Sequence, residues 1–534
     1  MTSRGDERLP GVAADAEATR YRSVFLPLWI AMVALQSGLL IHDVGAAWLI
    51  SQSTQSHSLV ALAQTAASLP FFLFALPAGA LSDMVDRRRI AQAAAFGLSI
   101  LSLAVAGATA SGFATIPLLL AASFLNGCAN AAFTPSWQAL TPELVAGERL
   151  PGALALNSLG INIARALGPL LSGALLFVSG PVSAFLFNAL LYLAVGFTFL
   201  AIAPRSGAPT RPSESLLDAI CAGLAYARHD RGLQRVALRG AAFFFFASTF
   251  WALAPVVVRE RFAGSSLMLG AMVGSVGIGA ILAALMLKRL RQRFDLDAIM
   301  LGAGLLTAAA LAMVPAAPVP AVLAALHVAL GFGWLLGFSS IHLAAQLRLA
   351  PWIRARGSAI YLIAVFGSLA LGSLTAGLLA DRFGLTGAFL IPATALLVTS
   401  PIAYRTRIAI AAPLALSRSV TLPAAEDASP AKGPIVVVLS YALSDGVKAD
   451  AVSPLLRGMR AARLRSGATA WSCAQDGATL IERVGYPSSE RMQLSAMRHT
   501  TNDVHVETAL LALLRDKPVS VIRAAASFGG GGCR

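Results

Sequence analysis

Charged residues are scarce in this chain. Only 13% of its 534 residues are Asp, Glu, Lys or Arg, against about a quarter in a soluble globular protein. Cysteine is scarcer still: Cys128, Cys221, Cys473 and Cys533 lie far apart without metal-ligand spacing, so neither a disulfide framework nor a zinc site is predicted. No P-loop, Rossmann glycine pattern or nucleophile elbow occurs, which argues against ATP-driven transport within this chain and against a bound cofactor. The polar start carries no short apolar core followed by a small-residue cleavage site, so the first apolar segment is expected to be retained as an anchor. The formal charge of +15 could suggest a nucleic-acid partner. No basic groove interleaved with aromatics accompanies it, and the excess of Lys and Arg is what a multi-pass membrane protein carries on its cytoplasmic loops.

What is abundant is apolar sequence, 57% of the chain. It comes in runs of about 20 residues, the length that crosses a bilayer as a helix. Runs at roughly 24–50, 58–81, 90–110, 116–140, 152–178 and 181–203 are followed by a polar, amphipathic stretch. Six more lie at roughly 236–258, 265–287, 297–315, 318–346, 357–380 and 386–405. The reading is twelve transmembrane helices in two six-helix bundles, 23–203 and 236–406, with a polar tail at 1–22 and a linker at 204–235. With the N-terminus in the cytoplasm, the inside segments hold 23 Lys and Arg, and the outside segments hold only Arg259, Arg261 and Arg382. That asymmetry predicts cytoplasmic N- and C-termini.

The two halves repeat. Gly168, Gly173 and Gly180 recur as Gly372, Gly377 and Gly384, and Ala184-Phe185-Leu186 as Ala388-Phe389-Leu390, all offset by 204 residues. Between the second and third segments stands Gly79-Ala80-Leu81-Ser82-Asp83-Met84-Val85-Asp86-Arg87-Arg88-Arg89. Its glycine permits close helix approach, its aspartates suit helix ends or ion pairs, and its arginines cannot cross a bilayer cheaply. The basic run at Lys288–Arg291 follows the eighth segment in the same way but lacks the aspartates, which marks it as a degenerate copy.

Residues 407–433 read as an Ala-, Pro- and Ser-rich linker. Beyond it the composition changes to a strand at Ile435–Tyr441, an amphipathic helix at Val452–Arg465, strands at Thr469–Ala474 and Thr479–Val484 flanking the turn signal Asp476-Gly477, helical stretches near 488–498 and 502–514, and a strand at Val519–Ala525. This order predicts a ferredoxin-like α+β domain over 434–526, with a short tail at 527–534.

The Gly79–Arg89 stretch resembles the signature loop of the major facilitator superfamily. Further runs, Asp43–Leu49, Ser68–Arg89, Asn157–Gly173 and Gly333–Gly377, resemble its transmembrane secretion effector branch, which includes enterobactin-exporter-like proteins. The C-terminal segment resembles a domain related to the dimeric α/β-barrel fold of antibiotic-biosynthesis monooxygenases, with Arg498-His499, Thr501 and Asp503 echoing a motif of that appendage. The resemblance implies a secondary transporter exporting a small molecule by proton antiport, with Gly79, Asp83, Asp86, Arg87, Arg88 and Arg89 acting as a cytoplasmic gate latch. A topology anchor is the alternative role for that loop.

Within the bilayer the candidates are ionisable. Asp43 lies inside the first apolar helix, where a carboxylate must be paired, hydrated or protonated, so it is a candidate proton carrier. A water-exposed position near the outer helix end is its alternative, and neighbouring His42 reads as an interfacial histidine. Arg165, the lone arginine of the fifth helix, should face a cavity or a counter-ion; the resemblance, in which the first and fifth helices both line the central cavity, makes Asp43 the obvious partner. Gly160, Gly168, Pro169 and Gly173 around it resemble the glycine-proline motif of antiporters. Gln36, Asn126, Asn130, Asn157, Asn162 and Gln346, with His327 and His342, suggest a partly polar cavity. Asn126 and Asn130, at i and i+4, share a helix face. Phe243–Phe246, Phe250 and Trp251 crowd the seventh helix, facing lipid, packing or an amphiphile. The C-terminal domain is expected to regulate or dimerise. An enzymatic role on the same metabolite, and import instead of export, stay open as alternatives.

Overall fold

The computed structural model describes residues 21–145, 149–201, 216–349, 354–408, 418–422, 433–444, 447, 449–476, 478–516 and 518–524. Residues 1–20, 204–215 of the first predicted linker, the greater part of the linker 407–433 and the predicted tail 527–534 lie outside them. Two compact units result. The first comprises Met1–Arg211, Arg239–Ile341 and Leu362–Arg407; the second comprises Pro212–Leu238, His342–Tyr361 and Ile408–Arg534.

The first unit is built from helices α1 (Leu26–Ser53), α2 (His57–Met84), α3 (Arg87–Ala110), α4 (Ile116–Leu144), α5 (Leu150–Leu200), α7 (Arg231–Phe262), α8 (Ser266–Arg293), α9 (Leu296–Met313), α10 (Pro320–Arg348) and α11 (Arg354–Arg405). The ends of α7, α10 and α11 reach into the second unit, where α6 (Leu216–His229) also lies. Ten described helices are long and apolar enough to cross a membrane. Two of them, α5 with 51 residues and α11 with 52, would extend about 75 Å if straight, more than twice the hydrocarbon thickness. Each breaks at one glycine with a backbone only glycine adopts readily, Gly180 (φ 79°, ψ 176°) and Gly384 (φ 69°, ψ 176°). The breaks give twelve crossings. The outer surface is apolar in a way only lipid tolerates: Val178 is 80% and Leu285 73% exposed.

The 204-residue repeat has a physical basis in close approach. A methyl group on Gly168 would meet the Ser37 carbonyl of α1 at 2.9 Å, and one on its repeat mate Gly372 would meet the Phe245 carbonyl of α7 at 2.0 Å. A methyl on Gly173 would come within 2.5 Å of the Ser266 carbonyl of α8, and one on Gly377 within 2.7 Å of Ser58 Cα of α2. Each half thus seats its fifth helix on its own first helix, then against a helix of the other half. Without side-chain volume at these four positions the backbones pack at distances no other residue allows.

The second unit contains β1 (Ile435–Ala442), α12 (Ala449–Ser466), β2 (Ala470–Asp476), β3 (Thr479–Tyr486), α13 (Ser489–Met497), α14 (Thr501–Leu511) and β4 (Val519–Ala524). Its sheet runs β2-β3-β1-β4, antiparallel throughout. This is the split βαβ arrangement expected from the element order. Odd-numbered β1 residues Ile435, Val437, Leu439 and Tyr441 fill the core under the helices with Val452, Met459 and Leu510. Helix α12 also packs against α6, the helix between the bundles.

Candidate functional site

The bundles meet at the end opposite Arg87–Arg89. Helix α1 ends at Ser53 and α2 begins at His57, leaving spent carbonyls on one side of a three-residue turn and free N–H groups on the other. Residues of the second bundle cap both. Arg259 of α7 donates to the carbonyls of Ser51 and Thr54, the latter at 2.7 Å. Asp381 of α11 accepts from the backbone N–H groups of His57 at 2.7 Å and Ser58 at 3.1 Å, and from Ser56 Oγ at 3.3 Å. Each charge has the sign that complements the helix end it touches. His57 Nε2 lies 2.7 Å from Glu260 Oε1, and its Nδ1 lies 3.1 Å from Asp381. Sequence reading missed His57 and Asp381, because each looked like an ordinary polar residue at the end of an apolar run. Arg259, one of the few basic residues counted outside, was half of the signal.

The bundles continue to touch inward from this end. Gly270 and Gly277 of α8 approach Pro169, Gly173 and Ala166 of α5. On the other flank Phe71 of α2 stacks on Phe366 of α11 at 4.3 Å, and Thr65 Oγ1 donates to the Ala370 carbonyl at 3.1 Å.

Asp43 sits ten residues before the end of α1, about 15 Å along the helix. It is half-buried, and Asn126 Nδ2 of α4 donates to its carboxylate at 2.9 Å while also reaching the Leu39 carbonyl at 3.2 Å. The expected Asp43–Arg165 ion pair is not made. Arg165 is half-buried in α5 and has no ion-pair or hydrogen-bond partner among the described residues. A neutral amide is therefore the described side-chain partner of the carboxylate, and a permanent cation stands on the helix packed against α1.

His42 is not interfacial as expected. It is buried in the first bundle, edge-on to Phe185 at 5.7 Å, with both ring nitrogens unpartnered. Asn130 accepts from Thr134 Oγ1 at 3.0 Å, Asn157 donates to Thr141 Oγ1 at 2.8 Å, and Asn162 donates to the Ser158 carbonyl at 2.8 Å, so these amides brace the first bundle's own helices. Gln36 is half-buried with no described partner. Gln346 falls in the second unit, where it donates to Ser358 Oγ at 2.9 Å. The aromatics of α7 turn inward: Phe244 packs on Trp334 at 4.7 Å and Trp251 on Trp334 at 5.9 Å.

At the basic end, Asp86 caps α3, accepting from the Arg88 N–H at 3.0 Å. Arg87 pairs with Glu143 of α4 and donates to the Ala139 carbonyl at 3.3 Å. Arg88 is buried and Arg89 exposed. Gly79 and Asp83 lie in the last two turns of α2, and their surroundings are outside what is described. The described contacts of this loop staple α3 to α4 within one bundle. The second copy is less degenerate than it looked. Its aspartates follow the basic run instead of preceding it: Asp295 caps α9, accepting from Ala298 N–H at 2.7 Å, and Asp297 pairs with Arg239 of α7. Arg239 also reaches the carbonyls of Ala403 and Thr406, binding three helices at that end.

Residues 17–527 match the family described as transmembrane secretion effector. The chain belongs to that family. Its fold is that of the major facilitator transporters. It aligns with a bacterial homologue of the human lysosomal transporter Spinster at a TM-score of 0.58 and 15% identity, covering 72% of this chain and 97% of that one. The nucleoside transporter NupG aligns at a TM-score of 0.53 and 15% identity, covering 72% and 98%. Among curated proteins, the Staphyloferrin A transporter of Staphylococcus aureus is 24% identical over 257 residues, which span 47% of this chain and 63% of that relative. The chain is thus a multi-pass membrane protein of a secondary-transporter family.

Proposed function

We propose that the chain is a proton-coupled exporter of a small amphiphilic metabolite, a siderophore or a drug-like compound, in the bacterial inner membrane with both termini in the cytoplasm. The observation that carries this reading is Asp43. It is an ionisable group well inside a membrane helix whose described side-chain partner is a neutral amide. A carboxylate so placed is costly when charged and releases that cost by taking a proton. Arg165 on the adjoining helix is the fixed charge against which the carboxylate, or an anionic substrate group, is balanced. The charge asymmetry supports an α1–α2 turn on the outside, so the capped turn serves as an outer gate, closed in this conformation. Proton exchange at Asp43 biases the bundles between this state and its opposite. The siderophore relative supports that substrate class.

Accumulation assays with a panel of siderophores and amphiphilic drugs in an efflux-deficient host test this reading. Expression should lower the cell content of at least one compound, and a protonophore should restore it. Raised accumulation on expression would favour import. We also propose that the C-terminal domain pairs with a second copy through the sheet face away from its helices, where Val519 and Val521 of edge strand β4 are 62% and 44% exposed.

A further inference from the structure

Helix α12 and edge strand β2 of the C-terminal domain line an open cavity of about 310 Å³. That is at the lower end of the usual span of ligand pockets, roughly 300–1,000 Å³. Leu443, Val452, Leu456 and Leu480 give it an apolar floor. Arg457 and Arg460, one helical turn apart, line it from α12, and neither has an ion-pair or hydrogen-bond partner among the described residues. Trp471 forms a wall. Its indole Nε1 donates to buried Glu482 at 2.7 Å, which fixes the plane of the ring, and the Arg460 guanidinium lies 5.9 Å from the ring centroid. No carboxylate is among the described lining residues. An apolar floor, a fixed aromatic wall and two uncommitted guanidinium groups at one mouth select a particular guest: an apolar or aromatic body bearing one anionic group.

We propose that this cavity is a binding site for an amphiphilic organic anion, with the body against Trp471 and the charge between Arg457 and Arg460. Its place in the chain gives the site a consequence. The same helix carries Arg465, which holds Asp503 at 2.5 Å and Asp230 at 3.5 Å. Asp230 accepts from the Leu233 N–H at 2.7 Å in the first turn of α7. The helix that would grip the anion therefore also grips the start of a membrane-spanning helix. The proposal does not depend on which compound the bundles carry.

The test uses the full chain labelled with 5-fluorotryptophan in nanodiscs of zwitterionic lipid, with Trp471→Phe assigning the Trp471 fluorine resonance. Titration with 1-naphthoate should shift that resonance saturably, whereas the neutral twin 1-naphthalenemethanol should bind at least tenfold more weakly. Arg457→Ala/Arg460→Ala should weaken naphthoate at least tenfold, and the double lysine variant should retain most of the affinity. Both arginines are surface residues, so unchanged hydrogen-exchange protection of β1 confirms that the variants fold. A shift in anionic-lipid nanodiscs without naphthoate upholds the site and names a lipid as its source. No saturable shift with naphthoate, or one that survives the double alanine variant, overturns the proposal.

Discussion

The carboxylate of Asp381 caps helix α2 from the opposite bundle, accepting the His57 N–H at 2.7 Å. A cap normally belongs to the helix's own chain segment and contributes about 1 kcal/mol. Here that contribution exists only while the two bundles are closed at this end, so it stabilises one conformation of the transporter over the other.

Removing the cap should therefore open this end. Asp381→Ala should shift the population toward the separated state by about fivefold, the equivalent of a lost cap. Spin labels at residues 55 and 386 report it as growth of a longer distance in double electron–electron resonance. An unchanged distance distribution would show that the cap does not gate.

The glycine seam makes an independent prediction. Gly173→Leu and Gly377→Leu put side chains into backbone contacts of 2.5 and 2.7 Å, and overpacking of this kind costs about 1–3 kcal/mol. Both should wedge the bundles apart at the closed end and slow transport. Gly302 has open space around it, so Gly302→Ala should leave transport and the distance distribution as they are.

The core of the C-terminal domain is built on charge. Arg463 is fully buried and donates to Glu482 at 3.2 Å and Glu507 at 2.6 Å. Glu507 in turn holds Ser419, Val420 and Thr421 of the connecting segment at 2.7, 2.7 and 3.0 Å. Arg463→Ala strands two buried carboxylates and should cost about 3–5 kcal/mol, read as faster hydrogen exchange in β1 of the full chain in nanodiscs.

The same cluster predicts acid sensitivity. Burial holds His499 below the usual histidine range, with Arg463 adding to the effect. The histidine donates Nδ1–H to the Ser495 carbonyl at 2.9 Å and accepts from Arg463 at Nε2, which is the neutral ring. Burial alone would raise Glu507, but Arg463, with the hydrogen bonds from Ser419 and the Val420 N–H, outweighs it and holds the carboxyl below its ordinary value. In the unfolded chain histidine takes up its proton near pH 6.5 and glutamate near 4.3. Each group thus binds more protons unfolded than folded, and stability rises with pH. Lowering pH from 7.5 to 5 should reduce the protection factors of β1, corrected for the intrinsic exchange rate, through the histidine, and a further loss should follow below about pH 4 through Glu507. A domain equally protected at pH 5 and 7.5 would contradict the assignment.

Much of the architecture was legible because it rests on periodic, local signals. Apolar run length locates the helices, Lys and Arg counting sets their alternation, and the period-two pattern of Ile435–Tyr441 makes a strand. The repeat glycines were legible as a pattern, although only the structure shows that they mark backbone contact. The cap between the bundles was not legible. Asp381 and His57 lie 324 residues apart, and nothing local distinguishes a carboxylate that caps a distant helix from one that ends its own. The expected Asp43–Arg165 pair failed for a related reason. Sequence places both on helices that pack together, but which way a side chain turns depends on its neighbours, and Asn126 takes the carboxylate. Arg463 read as one more charge on an amphipathic helix, because the two glutamates that bury it come from β3 and α14.

Asp43 is where the transport reading is most directly exposed. In proteoliposomes with an imposed pH gradient, using a compound identified by the accumulation panel, the wild-type chain should concentrate that compound against its own gradient. Asp43→Asn should lose this uphill movement and keep downhill exchange. Asp43→Asn vesicles that still concentrate the compound when driven by pH alone would contradict proton coupling at this carboxylate.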